Sequence, residues 1–350
     1  ALNNPLMQIS IYAVMLFVLM FGSEMIIKTN ATSLDVGQLS TLMTYGFQIM
    51  VSLMMLSMVF VMITFSEESC KRIVEVLNEK SSIISKENAI TEVKDGSIDF
   101  DHVRFKYSPT AERPVLDNID VHIKSGETIG IIGGTGSAKS SFVQLIPRLY
   151  DVTEGTVRVG KEDVRDYDLV TLRDSVAMVL QKNVLFSGTI ADNIRWGNKD
   201  ATLEEVKHVC HLACADEFIE QMPDGYDTWI EQGGTNVSGG QKQRLCIARA
   251  LLKQPKILIM DDSTSAVDTK TDAMIRKAMK EYIPETTKII IAQRTSSVED
   301  ADRIIVLDGG KIDAIGTSEE LLKTNQIYRE VYLSQNKQGT EEIVEEGGVR

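Results

Sequence analysis

The sequence predicts an α/β domain preceded by two membrane-spanning helices. Two long apolar runs fall within the first 65 residues, whereas the remainder alternates short apolar strands with helical stretches. One of these strands runs directly into a glycine-rich loop at residues 133–141, and a helical stretch follows the loop. Strands that are separated by helices are typical of a parallel sheet. A chain of 350 residues has room for both regions.

The two apolar runs, residues 9–27 and 45–65, are each long enough to cross a bilayer as a helix. The second run carries no charge, and the first lacks the basic residues that open a signal peptide. A buried core helix is the alternative for both runs. Lys71 and Arg72 follow the second run and favour the cytoplasm for both termini. Because the chain begins with Ala, we expect a fragment of a longer polypeptide with more spans upstream.

Changes in composition predict four segments. Residues 1–65 would be a partial membrane domain that contains its last two spans, and residues 66–95 a charged, helix-prone linker. Residues 96–335 would form the α/β domain, in which the region from about 185 to 250 lacks strong strand runs and predicts a helical insertion. Residues 336–350 predict a short, acidic, disordered tail.

Charge and cysteine usage exclude some classes of protein. The net charge of −13 argues against a nucleic-acid partner, because no basic stripe is available to neutralise phosphates. The four cysteines show no secreted disulfide pattern, which favours a reducing compartment. Cys210, His211 and Cys214 share one sector of a predicted helix and could hold a metal. No fourth ligand is apparent, so we favour cysteines that pack inward.

The stretch GGTGSAKSS has the context that a phosphate-binding loop requires, between a strand and a helix. Successive backbone N–H groups would converge on phosphate oxygens, Lys139 would add a positive charge, and the Ser140 hydroxyl would bind Mg²⁺. A generic glycine-rich turn is the alternative. Ala138 replaces the usual glycine before the lysine, and we expect a small cost if its backbone stays in an allowed region. The loop residues expected to bind phosphate are Gly133, Gly134, Thr135, Gly136, Ser137, Ala138, Lys139, Ser140 and Ser141.

A second motif, ILIMDDSTSAVD at residues 257–268, ends an apolar strand with two adjacent carboxylates. Burying two like charges is costly unless a cation or a proton compensates them. Asp261 fits the aspartate that positions Mg²⁺ in a nucleotide hydrolase. Asp262 occupies the next position, where such an enzyme usually has the base that acts on the attacking water.

A third motif, NVSGGQKQRLCIARALL at residues 236–252, begins an amphipathic helix. A capping box between Ser238 and Gln241 would explain both of these residues. It does not explain Gly239 and Gly240, whose bare backbone at a helix N-terminus suits close approach by a phosphate.

In this order, the three motifs resemble the nucleotide-binding domain of an ATP-binding cassette (ABC) transporter. The apolar runs resemble the last two membrane helices of an exporter half. The resemblance implies an α/β P-loop nucleotide-binding domain with a helical subdomain, and it implies ATP and Mg²⁺ as ligands. It also implies that two such domains pair head to tail. Each ATP would then lie between one phosphate loop and the partner's signature stretch, Ser238, Gly239, Gly240 and Gln241 in this chain.

The resemblance implies roles for three further residues. Tyr107 matches the aromatic residue that stacks on adenine, although an ordinary strand tyrosine would look the same. Gln181 matches the glutamine that contacts Mg²⁺ or its water and links the core to the helical insertion. Asp268 matches an aspartate that crosses the dimer interface.

Two residues depart from the family pattern, since Asp262 stands in place of a glutamate and Gln293 in place of a histidine. Loss of a positioned base costs about a hundredfold to ten-thousandfold in rate. The chain is therefore predicted to be the degenerate-site subunit of a heterodimeric multidrug- or lipid-type exporter, integral to the membrane with its nucleotide-binding domain in the cytoplasm. Alternatives are a homodimeric exporter that is active despite both substitutions and a non-catalytic regulatory subunit. The two spans disfavour a soluble ABC ATPase, and nothing identifies the transported substrate.

Overall fold

The structure, a computed structural model, describes residues 3–262 and 267–335. The chain divides into two compact units, with the boundary between Ser82 and Ile83.

The first unit contains two helices, α1 (Asn3–Thr29) and α2 (Val36–Asn78). Both are long and apolar enough to cross a membrane, and none of the residues in their most apolar windows is buried in the structure. They contain the predicted spans. Helix α2 is longer than the span predicted within it, because it continues without a break through the charged residues 66–78 that the sequence assigns to a linker.

Residues 83–95, the remainder of the predicted linker, belong to the second unit. Ile90 forms a β-bridge with Tyr167, and Val93 is buried in the core of that unit. Their apolar side chains are covered by the α/β domain, and this explains why the segment is ordered with it.

The second unit contains twelve strands and nine helices among its described residues, together with three 3-10 turns. The strands are β1 (Ile98–Phe105), β2 (Leu116–Ile123), β3 (Thr128–Ile132), β4 (Glu154–Val159), β5 (Glu162–Asp163), β6 (Val176–Val179), β7 (Gly188–Thr189), β8 (Trp229–Ile230), β9 (Ile257–Asp261), β10 (Thr287–Ile291), β11 (Arg303–Asp308) and β12 (Lys311–Gly316). The helices are α3 (Lys139–Gln144), α4 (Leu169–Ser175), α5 (Ile190–Arg195), α6 (Leu203–Leu212), α7 (Asp216–Ile219), α8 (Gly239–Leu252), α9 (Thr269–Tyr282), α10 (Ser318–Thr324) and α11 (residues 326–335).

The central sheet has six strands in the order β12-β11-β3-β10-β9-β6. Strands β11, β3, β10, β9 and β6 pair in parallel, and only the β11–β12 pair is antiparallel. The apolar runs predicted to be strands form its centre, where Ile129, Ile259 and Ile289 are fully buried. Continuous apolar runs are typical of parallel strands covered on both faces.

A second sheet is antiparallel and has four strands in the order β2-β1-β4-β5. The alternating pattern at residues 97–107 predicts β1, but its antiparallel partners β2 and β4 were not predicted. Phe100 of β1 stacks on Phe142 of α3, with ring centroids 4.2 Å apart. This contact packs the antiparallel sheet against the helix that follows the glycine-rich loop.

The helical insertion lies between β6 and β9 and contains α5 to α8 with the short β7–β8 pair. Cys210 and Cys214 are buried in its core, and burial raises the pKa of the Cys210 thiol to about 12. His211 is exposed, with Nδ1 2.6 Å from Asp216 Oδ2. No cluster of potential metal ligands occurs among the described residues. Cys210 and Cys214 pack into this core.

Ala138 has a left-handed backbone, with φ 71° and ψ 22°, where it precedes α3. This conformation is allowed, as expected, but it is the one that glycine adopts most easily. For an L-residue it costs about 1–2 kcal/mol relative to the right-handed form. The cost of the missing glycine is therefore located in the backbone at Ala138.

Replacing Ala138 by glycine should remove this strain, and part of the gain is offset by the greater entropy of glycine in the unfolded chain. We expect the Ala138→Gly variant to be more stable to unfolding by about 0.5–1 kcal/mol. Urea denaturation of the purified chain measures the change. Ala191→Gly in helix α5 is the control and should lose stability by about 1 kcal/mol or more. A loss of stability in Ala138→Gly would contradict the assignment of strain.

Candidate functional site

The site lies at one edge of the central sheet, where the parallel strands end. Asp261 of β9 is opposite Ile291 of β10, which is in turn opposite Ile131 of β3. The glycine-rich loop directly follows β3, and Asp262 directly follows β9. Gln293 and Gln181 lie two residues after the ends of β10 and β6. Parallel strands place their carboxyl ends at a common edge, which is where α/β proteins bind ligands.

The glycine-rich loop is narrow at its base and open at its tip. A Cβ atom on Gly133 would lie 2.2 Å from the carbonyl oxygen of Leu307, so no larger residue fits there. Gly136 has φ 82°, and a Cβ atom on it or on Gly134 would meet nothing within 4 Å. Gly134, Thr135 and Gly136 are exposed and leave the backbone of the tip accessible to an anion.

Lys139 folds across this loop. Its Nζ donates hydrogen bonds to the carbonyl oxygens of Gly133 at 2.8 Å and Gly134 at 2.9 Å, and lies 3.3 Å from Ser137 Oγ. Burial lowers the pKa of Lys139, and this effect is opposed by the carboxylates of Asp261 and Asp262. The lysine is thus a partly desolvated cation held among the loop's oxygens.

Ser140 and Asp261 provide an oxygen pair beside the lysine. Ser140 Oγ donates to Asp261 Oδ2 at 2.8 Å. A hydroxyl and a carboxylate are hard oxygen ligands of the kind Mg²⁺ prefers, and Mg²⁺ usually takes only one or two protein ligands besides phosphates and waters. The donor set therefore fits Mg²⁺.

Asp262 receives hydrogen bonds from the side chains of two other strand ends. Its Oδ2 accepts from Gln293 Nε2 at 2.7 Å and from Gln181 Nε2 at 3.4 Å. Its backbone is left-handed, with φ 48°, and its N–H donates to the carbonyl oxygen of Ile291. Burial and the neighbouring Asp261 charge raise the pKa of Asp262, and the two amides oppose this effect. The two residues that depart from the family pattern, Asp262 and Gln293, are in direct contact.

Tyr107 lies next to the helix that follows the loop. Its hydroxyl is 2.8 Å from Ser141 Oγ and donates to Gln144 Oε1 at 3.3 Å. Phe105 and Tyr150 contact the ring edge to face, and 52% of the residue is exposed. An exposed aromatic ring beside a phosphate loop suits stacking on a planar base.

The signature stretch caps its own helix. Ser238 Oγ accepts from Gln241 N at 3.3 Å, and Gln241 Oε1 accepts from Ser238 N at 2.9 Å, so the predicted capping box is present at the start of α8. Ser238 and Gly239 are exposed. Within the described residues, the side-chain hydrogen bonds of Ser238 and Gln241 join these two residues and do not reach the phosphate loop.

Asp268 has a similar local role at the start of α9. Its Oδ1 accepts from Thr271 N at 3.0 Å, and this hydrogen bond lowers its pKa. The side chain is exposed. Residues 263–266 of the same motif lie outside the described part of the chain.

Two glutamines at the site were missed by sequence reasoning. Gln335 of α11 donates to the carbonyl oxygen of Gln293 at 2.8 Å and accepts from Thr295 N at 2.9 Å, so it holds the loop after β10. Gln243 is 2% exposed and donates to the carbonyl oxygen of Asp262 at 3.5 Å. Gln243 is a polar residue on the apolar face of a predicted helix, and this position is a signal that could have identified it. No local pattern predicts the long-range contact of Gln335.

Comparison with known proteins matches residues 116–265 to the ABC transporter family. The chain is 39% identical to the Bacillus subtilis protein YfiB, an uncharacterized ABC transporter ATP-binding protein, over 96% of this chain and 58% of YfiB. It is 40% identical to B. subtilis YgaD, a putative multidrug export ATP-binding/permease protein, over 78% of this chain and 47% of YgaD. The chain thus spans about half the length of these relatives.

A solved structure of a bacterial Atm1-family ABC exporter with ATP bound resembles the fold with a TM-score of 0.75 and 31% identity. The match covers 95% of this chain and 58% of that one. The predicted fold class, a nucleotide-binding α/β domain preceded by two apolar helices, is confirmed. Residues 116–265 thus match the ABC transporter family, and over most of its length the chain is similar to proteins named as ABC transporters and to a solved ABC exporter.

Proposed function

We propose that this chain is the ATP-binding part of an exporter subunit that binds ATP and hydrolyses it slowly at its own site. The observation that carries the proposal is the hydrogen bond from Gln293 to Asp262. It occupies the carboxylate that stands in the position of the catalytic base. The residues expected to bind phosphate and Mg²⁺, by contrast, are present: Lys139, Ser140, Gln181 and Asp261.

ATP binding would use the exposed loop amides at Gly134 to Gly136 and the positive charge of Lys139. Lys139 would exchange its loop carbonyl partners for phosphate oxygens, and Tyr107 would stack on the adenine ring. Ser140, Asp261 and Gln181 would hold Mg²⁺, which when bound neutralises phosphate charge. Each of these roles uses a group that is accessible or already lies at the strand edge.

Hydrolysis would be slow because neither residue of the contacting pair suits proton transfer. Aspartate is one methylene shorter than the usual glutamate, and the Asp262 carboxylate is also held by two amides. The Gln293 amide donates a hydrogen bond but cannot carry a proton or a positive charge. The raised pKa of Asp262 favours its action as a base. A base must also reach the attacking water, however, and the short Asp262 side chain would be held away from it by its amide partners.

The signature stretch would act on a second nucleotide-binding domain. Ser238 and Gln241 satisfy each other within the helix, which leaves Gly239 exposed for contact with an anion across an interface. A chain with an intact signature and a weak hydrolytic site fits a heterodimer in which the partner hydrolyses ATP.

Helices α1 and α2 would span the membrane with the nucleotide-binding domain in the cytoplasm. The name of YgaD, a putative multidrug exporter, favours drug-like substrates for this chain.

An exposed aromatic pair offers a contact for coupling to the membrane domain. Phe186 and Trp196 stack with centroids 4.5 Å apart, and Trp196 is 62% exposed. They line a cleft of ≈310 Å³ that also includes Lys182 and Asn183, immediately after Gln181. We propose that an intracellular loop of the transporter's membrane domain occupies this cleft, where it would sense the position of the Gln181 segment.

The proposed function predicts, first, the effect of reversing the two departures at the ATP site. Restoring the family residues in the double variant Asp262→Glu with Gln293→His should raise hydrolysis at this site roughly a hundredfold, because a longer base and an ionisable partner are regained. Single-turnover hydrolysis of Mg-ATP by the purified chain measures the rate. Lys139→Ala in the same background is the control and should remove the gain. Rapid hydrolysis by the unmodified chain alone would contradict the proposal.

A second prediction concerns the signature stretch. Gly239→Asp introduces a negative charge where a partner's phosphate should approach, so it should lower steady-state hydrolysis by the two-subunit transporter about a hundredfold or more. Equilibrium binding of ATP to this chain's own loop should not change. Asn198→Asp adds the same charge to an exposed loop of the insertion and serves as the control. If Gly239→Asp leaves hydrolysis intact, the stretch has only its capping role.

A third prediction concerns the aromatic cleft. In the intact transporter, Trp196→Ala should reduce transport about tenfold or more while ATP binding is retained, because one exposed aromatic anchor of an interface is lost. Transport into inverted vesicles and nucleotide binding are measured on the same preparation. Trp229→Ala, at an exposed tryptophan of the same insertion, should leave both unchanged. Equal losses in the two variants would argue against a specific coupling contact.

A further inference from the structure

A second cavity, with a volume of ≈290 Å³, lies away from the ATP site. Its walls come from α9, from β10, from the start of β3 and from the segment that precedes β11. Ala273, Met279, Ile290 and Ala301 form its apolar part. The volume is close to the lower limit for small-molecule pockets, and none of the residues predicted to bind ATP lines it.

Positive charge dominates the rest of the lining. Arg276, Lys277, Lys280 and Lys288 all line the cavity, whereas Asp300 is the only carboxylate among its described lining residues. Asp300 pairs with Arg276 Nη1 at 2.9 Å, and its side chain is 85% exposed. The lining therefore carries three more positive than negative charges, in a chain whose net charge is −13.

Lys288 is the most deeply buried of these cations. It is 5% exposed, and its Nζ donates to the carbonyl oxygen of Thr286 at 2.8 Å. No carboxylate lies within ion-pair distance of Nζ in the part of the chain described by the structure. Burial lowers the pKa of Lys288, and the positive charge of Lys280 also lowers it, whereas the more distant carboxylates of Asp302 and Glu285 oppose this effect. A buried cation in this setting is costly unless an anion compensates it.

Arg276 adds unused hydrogen-bonding capacity at the same wall. Its side chain is 13% exposed, and its Nε lies 3.4 Å from Asp272 Oδ2. Nε nevertheless forms no hydrogen bond to any of the described residues, and Asp272 Oδ2 accepts a hydrogen bond from Ser297 Oγ at 3.1 Å. Buried polar atoms without partners are uncommon in folded proteins and often mark a missing ligand or water.

We propose that this cavity binds a small organic carboxylate with an apolar body. The carboxylate pairs with Lys288 and the neighbouring cations, and the apolar body packs against Met279 and Ile290. Both parts are required: inorganic phosphate would leave the apolar wall uncovered, and a neutral compound would leave Lys288 without a counter-ion.

The probe for this site is 2-naphthoate, whose ring system is small enough for the cavity. Isothermal titration of the purified chain with 2-naphthoate should show saturable binding. 2-Naphthamide has the same ring system without the charge. Its binding also measures nonspecific partitioning of the ring system onto the apolar helices. Inorganic phosphate, the second control, is an anion without an apolar ring system. Each of these two controls should bind at least about tenfold more weakly, as expected for the loss of a charge-assisted contact or of the buried apolar area.

Two variants locate the binding. Lys288→Met keeps the length and packing of the side chain and should weaken 2-naphthoate binding about tenfold or more. Ala273→Leu partly fills the cavity without changing its charge and should also weaken binding. Lys199→Met, at an exposed lysine of the insertion, is the matched control and should bind normally. The proposal is overturned by an absence of binding, by equal binding of 2-naphthamide, or by undiminished binding in both cavity variants.

Discussion

The parallel register of β3, β10 and β9 is the constraint on which the site depends. Because Asp261, Ile291 and Ile131 are neighbours across three strands, every segment that leaves these strands begins at the same sheet edge. The hydrogen bond from Asp262 N to the carbonyl oxygen of Ile291 extends this pairing one residue past β9. Groups more than a hundred residues apart in sequence, such as Ser140 and Asp261, are thereby brought to hydrogen-bonding distance.

The charges at this edge explain why the site is suited to a bound cation and an anion together. Two adjacent carboxylates face one lysine whose pKa is lowered by burial. Asp261 accepts a hydrogen bond from Ser140, and Asp262 accepts hydrogen bonds from two neutral amides. A divalent cation would compensate both acids, and phosphate oxygens would then compensate the cation and Lys139.

Much of this arrangement could be predicted from the sequence, because its signals are local. Continuous apolar runs predict β3, β9 and β10, and the spacing of Ser238 and Gln241 predicts a capping box that is present. The antiparallel partners of β1 could not be predicted, since alternation indicates a strand but not its neighbours. The left-handed backbone of Ala138 and the contact of Gln335 with Gln293 depend on tertiary packing, which leaves no local pattern.

The same residues of the signature stretch serve the fold and, under the proposed function, the partner. The capping box uses the Ser238 hydroxyl and the Gln241 amide within one helix turn, so it is complete without a second domain. Its presence explains why the helix is stable in a single chain, but it places no demand on Gly239. Neither capping bond uses an atom of Gly239. The exposed glycine is therefore the part of the motif for which helix stability offers no reason, and close approach of another molecule does.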